Sequence, residues 1–166
     1  MAPSTSNAGG VLARLVRDVA PGIHRIEHGY TNCYLVDDGA QLTIIDAGFP
    51  STWGPLLRAL KTIGRRPSDI RRLVLTHGHF DHLGFAARIA HELDVPISIH
   101  VADADLAAHP YRYARERSPL GYPLRYPRAV PLVAAMARAG ALAVPGVTVA
   151  DVLPTTAGCR FPASPR

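Results

Sequence analysis

The residues best equipped for chemistry crowd into one short run, Thr76-His77-Gly78-His79-Phe80-Asp81-His82, in which four potential metal ligands stand with almost no filler between them. In an extended segment, side chains two apart point the same way. His77, His79 and Asp81 are therefore expected to converge, and a turn into a following helix would swing His82 alongside. Imidazole nitrogens with a carboxylate suit zinc, and also iron or manganese, whereas a purely structural zinc site would favour thiolates. The alternative is a polar loop of capping histidines. Chance would give this spacing only about once in a thousand chains of this composition, which favours the metal site.

Other catalytic patterns are missing from the sequence. It has no Gly-x-Ser-x-Gly elbow and no Gly-x-x-x-x-Gly-Lys loop, so neither a serine hydrolase nor a P-loop NTPase is supported. Cys33 and Cys159 lie far apart without Cys-x-x-Cys spacing, which indicates neither a disulfide framework nor a cysteine zinc cluster. His100 follows a strand-like run and reads as a packed or capping histidine, and His24, His28, His91 and His109 read as structural.

The elements that must position the loop are legible from periodicity. Val11 to Val19, Gly22 to His28, Thr31 to Val36 and Gln41 to Asp46 are short runs rich in β-formers, separated by turn residues, and predict an antiparallel meander with Asp38-Gly39 as a hairpin turn. Trp53, Leu56, Leu57, Leu60 and Ile63 fall at helical spacing, with Ser51 as N-cap and Gly64 as stop. Ile70 to Leu75 predicts the strand that feeds the histidine loop. A helix over Leu83 to Leu93, a strand over Pro96 to His100 and a short helix over Asp103 to Ala108 follow. Proline-rich residues 110–131 suit an irregular cap, after which Val130 to Ala139 predicts a helix and Val147 to Val152 a strand. Meander followed by alternating helix and strand argues for an α/β fold.

With that order in view, the sequence resembles the metallo-β-lactamase superfamily, whose hallmark is His-x-His-x-Asp-His after a strand. The likeness extends back through Tyr30-Thr31-Asn32-Cys33-Tyr34-Leu35-Val36 and Thr43-Ile44-Ile45-Asp46-Ala47-Gly48, and covers roughly residues 15–108. The resemblance implies an αββα sandwich with His77 and His79 on one metal and Asp81 and His82 on a second, in a complete fold zinc at both. It implies a metal-activated hydroxide that attacks an ester, thioester, lactone or related acyl substrate, with Asp81 steering the hydroxide and its proton while remaining a ligand. Asp46, at a strand end before Ala47-Gly48-Phe49, would accept a hydrogen bond that fixes the ligand loop; the alternative is a turn-initiating aspartate.

The family takes a further histidine, a bridging aspartate and a final histidine from the second half of its fold. No histidine follows His109, and Asp151 is the sole later aspartate. The expectation is therefore an incomplete sandwich over 11–153, the N-terminal half with part of a cap, flanked by disordered tails at 1–10 and 154–166. An uncovered sheet of that kind favours self-association. The alternative to a hydrolase of small-molecule substrates is a truncated, non-catalytic metal-binding fragment.

Composition sets the remaining bounds. The 166 residues are 48% apolar, enough for one sizeable core. A formal charge of +5 is spread over scattered arginines, so a nuclease or phosphodiesterase of the same superfamily, and nucleic acid as partner, are the less favoured readings. The apolar segment 129–144 is too short to span a bilayer and carries Pro131 and Arg138. Free thiols and the lack of a signal-like start predict a cytoplasmic protein without a membrane anchor.

Overall fold

Among the described residues, seven strands form one mixed sheet whose spatial order follows chain order. The structure is a computed structural model and describes residues 12–112, 126–149 and 151–153. Strands β1 (Arg14–Ala20), β2 (Ile23–His28), β3 (Thr31–Asp37) and β4 (Leu42–Ile45) make the antiparallel meander. Strands β5 (Ile70–Val74), β6 (Ile97–His100) and β7 (Asp151–Leu153) then add in parallel. Parallel neighbours need crossover connections, and helices supply them: α1 (Trp53–Ile63) between β4 and β5, then α2 (Phe80–Leu83) and α3 (Ala86–Leu93) between β5 and β6. Helices α4 (Ala104–Ala108) and α5 (Val130–Arg138) lie between β6 and β7.

One face of the sheet builds the core. Ile26, Cys33, Leu35, Leu42, Ile44, Leu73, Ile97 and Ile99 point to it in register, under Trp53, Leu56 and Leu60 of α1 and Phe85 and Ile89 around α3. Each such aliphatic side chain removed from water contributes about 1.5–3 kcal/mol. The two helical elements also touch each other, with the Trp53 and Phe85 rings 6.0 Å apart. On the opposite face Tyr34, Val36, Thr43, Ile45 and Val74 are half-buried.

Several sequence expectations shift in informative ways. The single helix expected over Leu83 to Leu93 is broken into α2 and α3 at Gly84 and Phe85. A Cβ at Gly84 would stand 2.0 Å from the Phe49 carbonyl carbon, so the backbone of this corner is pressed against the loop after β4. Ser51 does not cap α1; its hydroxyl donates to the Ala139 carbonyl at 2.9 Å, and a 3-10 turn at Pro50–Thr52 leads into the helix. Gly64 ends α1 in the left-handed region, as its type suggests. The β3–β4 turn is not a primed two-residue hairpin, because Asp38 keeps a negative φ and its carboxylate instead accepts the N–H groups of Ala40 and Gln41. The last strand is Asp151–Leu153 rather than Val147 to Val152; Val147 donates its N–H to the Ala107 carbonyl, which holds it off the sheet. The expected terminal tails, Cys159 and most of the proline-rich cap lie outside the described residues.

Candidate metal centre

Strands β4 and β5 run side by side in the same direction with Ile45 opposite Val74, so the residues leaving their carboxyl ends meet. Those residues are Asp46 and Thr76. The Asp46 N–H donates to the Val74 carbonyl at 2.9 Å, and Asp46 then takes a φ of 62°, a left-handed turn that aspartate tolerates better than most residues. Its side chain, in a residue only 5% exposed, receives the Thr76 N–H at 2.8 Å and the Thr76 hydroxyl at 2.8 Å. Two strand ends are thereby tied at the base of the histidine loop.

From Thr76 the chain runs His77-Gly78-His79 and enters α2 at Phe80. Gly78 has no room for a side chain, since a Cβ there would lie 2.9 Å from both the Ala107 N and the Asp103 carbonyl oxygen. Helix α2 has only four residues and cannot hold itself by propensity. It is pinned from outside: Ala47 N–H donates to the His82 carbonyl at 2.7 Å and Gly84 N–H to the Gly48 carbonyl at 2.7 Å.

Ligand-bearing atoms of His77, Asp81 and His82 come within 4.8 Å of one another. The His77 and His82 rings are 4.1 Å apart by centroid, and the His79 ring stands edge-on to His77 at 4.7 Å. His79 is the more exposed of the three and lies beside the three-residue group rather than within it. The convergence expected of all four is thus partial: His77, Asp81 and His82 meet, while His79 stands beside them. Asp81 and His82 lie on the short helix α2, so a helical turn rather than strand alternation brings them to His77.

Proton positions follow from the hydrogen-bond network. The Thr76 hydroxyl has one proton, and the Asp46 carboxylate, which only accepts, takes it. The hydroxyl oxygen is 3.0 Å from His77 Nδ1 and so accepts from it, which leaves His77 Nε2 with a free lone pair. Burial first, then the neighbouring His82 and His79, lower the His77 pKa and favour this neutral imidazole. His82 behaves oppositely. Burial opposes its protonation, but Asp46, 2.9 Å from Nδ1, and Asp81, 3.5 Å from Nε2, outweigh burial and lift it to about 9. The Asp46 contact is close yet poorly aligned for a hydrogen bond, so charge rather than direction holds that pair. Burial works against the Asp81 carboxylate, and His82 beside it more than compensates, which lowers its pKa.

This donor set fits a divalent metal. It offers neutral nitrogen and anionic oxygen atoms in one cluster, and its carboxylates stabilise positive charge strongly enough to keep His82 cationic when no ion competes. Cys33, packed beneath the site, offers no thiolate, because burial and then Asp46 push its pKa up. His100 accepts the Ala102 N–H at 3.2 Å and caps the turn after β6, as its sequence position suggested. Thr76 is the functional residue that sequence reasoning passed over; its only signal was a hydroxyl directly before the first histidine.

The sequence profile of the metallo-beta-lactamase superfamily matches residues 26–158. The chain belongs to this superfamily. The protein described as probable metallo-hydrolase YflN of Bacillus subtilis is 31% identical over 86 residues, which are 50% of this chain and 33% of that protein. Among solved structures, BJP-1, a subclass B3 metallo-beta-lactamase of Bradyrhizobium japonicum, shares the fold with a TM-score of 0.63 at 19% identity, over 88% of this chain and 47% of that one. The class B3 di-zinc metallo-beta-lactamase LRA-12 from an Alaskan soil metagenome gives 0.54 at 25% identity, over 64% and 40% of the two chains. This chain thus spans a third to a half of the length of these relatives. The sheet and helical layer described above correspond to one side of the superfamily's sandwich. No helix among the described residues is long and apolar enough to cross a membrane.

Proposed function

We propose that the chain carries the metal-binding half of a metal-dependent hydrolase, with zinc the favoured ion and an ester, thioester, lactone or related acyl compound as substrate. The observation that carries this reading is the cluster of His77, Asp81 and His82 backed by Asp46. In this reading His77, His79, Asp81 and His82 are the ligands. Bound there, divalent ions would supply Lewis-acid chemistry, lowering the pKa of a water and polarising the substrate oxygen.

The protein's own groups prepare that chemistry. Thr76 holds the proton on His77 Nδ1, which would leave the Nε2 lone pair available to a divalent ion. Asp46 fixes Thr76 and lies 2.9 Å from His82 Nδ1, where it would hold the remaining ring proton once His82 gave up its Nε2 proton to bind an ion. Asp81 has two carboxylate oxygens, so one can serve as ligand while the other receives the proton that the attacking water gives up.

The reading is tested by loading the protein with zinc and measuring hydrolysis of generic ester, thioester and lactone substrates, with Asp81→Ala as control. Metal-dependent turnover that Asp81→Ala abolishes supports it. Turnover that is indifferent to chelation contradicts it.

A further inference from the structure

Helix α2 delivers Asp81 and His82 yet is a single turn, and its backbone ties to Ala47 and Gly48 hold its far end, at His82 and Gly84, more directly than its start. At the start stands Phe80, the one residue between His79 and Asp81. Its ring contacts two others. Phe49, fully buried, packs against it at a tilt with ring centroids 6.3 Å apart, and Tyr111 stacks on it with centroids 5.9 Å apart and planes 22° from parallel. Tyr111 is itself fixed at its other end, since its hydroxyl donates to the Ala141 carbonyl at 2.8 Å and accepts the Val144 N–H at 2.8 Å. A phenol bonded at both its proton and its lone pair cannot swing without losing both contacts.

We propose that Tyr111 is a positioning residue for the metal centre, acting through Phe80. It braces the start of α2 against the 141–144 loop and so fixes the spacing between His79, on one side of Phe80, and Asp81, on the other. This rests on the metal reading of the loop. It assigns a role to a residue far along the chain from the ligand run. Metal binding pulls ligands into a geometry only slightly tolerant of displacement, so loosening the brace should weaken the ion's grip and distort its surroundings.

The test is a cobalt(II) titration of the full chain, read by visible absorption, which reports coordination geometry directly. Removing the ring in Tyr111→Leu should weaken cobalt binding about 3- to 10-fold, the range expected for losing an aromatic pair. It should also change the position or intensity of the cobalt bands. Phe80→Leu should do the same, and the double variant should be no worse than the poorer single one, because both act through one contact. If circular dichroism shows that Tyr111→Leu does not fold, Tyr111→Phe takes its place. That variant loses the two hydrogen bonds but keeps the ring, and it should weaken binding about 2-fold with a measurable band shift. Variants that match the parent in affinity and spectrum, or that lose stability while the cobalt bands stay unchanged, overturn the proposal. A parent chain that gives no cobalt spectrum at all overturns the metal reading itself, a different pattern from a parent that binds alongside unaffected variants.

Discussion

The Asp46 carboxylate joins the two halves of the ligand run, receiving the Thr76 N–H at 2.8 Å on Oδ1 while Oδ2 lies 2.9 Å from His82 Nδ1. One buried charge thus orients the histidine nearest the strand, through Thr76, and the histidine on α2 by direct attraction. Its position follows from strand pairing, because β4 and β5 run parallel and end together.

Asp46→Asn isolates the charge. Asparagine also tolerates the left-handed backbone that Asp46 adopts, so the fold should survive. Zinc affinity should fall about 10- to 100-fold, as it does when partners behind metal ligands are altered. Competition with a chromophoric chelator measures the dissociation constant, and equal constants for variant and parent would leave Asp46 as a turn residue only.

Thr76→Val keeps the N–H bond to Asp46 and the side-chain shape but removes the hydroxyl that fixes His77. Zinc binding should weaken by about 10-fold, at the lower end of such effects. Thr76→Ser, which restores the hydroxyl, should return close to the parent. If valine and serine behave alike in isothermal titration, the hydroxyl does not set the His77 tautomer.

Much of this centre is written in the sequence, and the part that is not has a common physical cause. His77, His79, Asp81 and His82 announce themselves because ligand types at short spacing need no knowledge of tertiary structure. Asp46 is legible as a polar residue ending a β-run. The break at Gly84 is not, since it exists only because that backbone meets Phe49 from a different segment. The displaced last strand has the same origin, with Val147 claimed by Ala107 rather than by β6. The role of Thr76 and the stack of Phe80 on Tyr111 depend on contacts that local periodicity does not encode.

The corner at Gly84 gives a stability prediction. A Cβ there meets backbone that cannot step aside, so Gly84→Ala should cost about 3 kcal/mol or more, the upper end for overpacking. Gly39→Ala is the contrast. Gly39 has open space around it and a φ of 90°, so only backbone strain applies and the cost should be about 1 kcal/mol. Urea denaturation of both variants checks the order, and a Gly84 variant as stable as the Gly39 one would show that the corner can relax.

Asp37 gives a pH prediction away from the metal. Arg65 Nε donates to Asp37 Oδ2 at 2.8 Å, and that hydrogen bond is the main cause holding the Asp37 pKa below its ordinary 3.8. A carboxylate depressed in the folded state stabilises it above the unfolded pKa and loses that contribution as pH falls through the folded value. Asp37→Asn should therefore lower the melting temperature modestly at neutral pH, and the gap to the parent should close below the ordinary pKa of 3.8. A gap independent of pH would mean that the ion pair is not its source.

The most direct measurement is the metal content of the purified chain beside that of the His77→Ala/His79→Ala double variant, by elemental analysis after growth in zinc-supplemented medium. The expected result is zinc bound to the parent and most of it lost from the variant, with the far-ultraviolet circular dichroism of both alike. The same metal content per chain in both proteins would contradict the assignment of this loop as the metal centre.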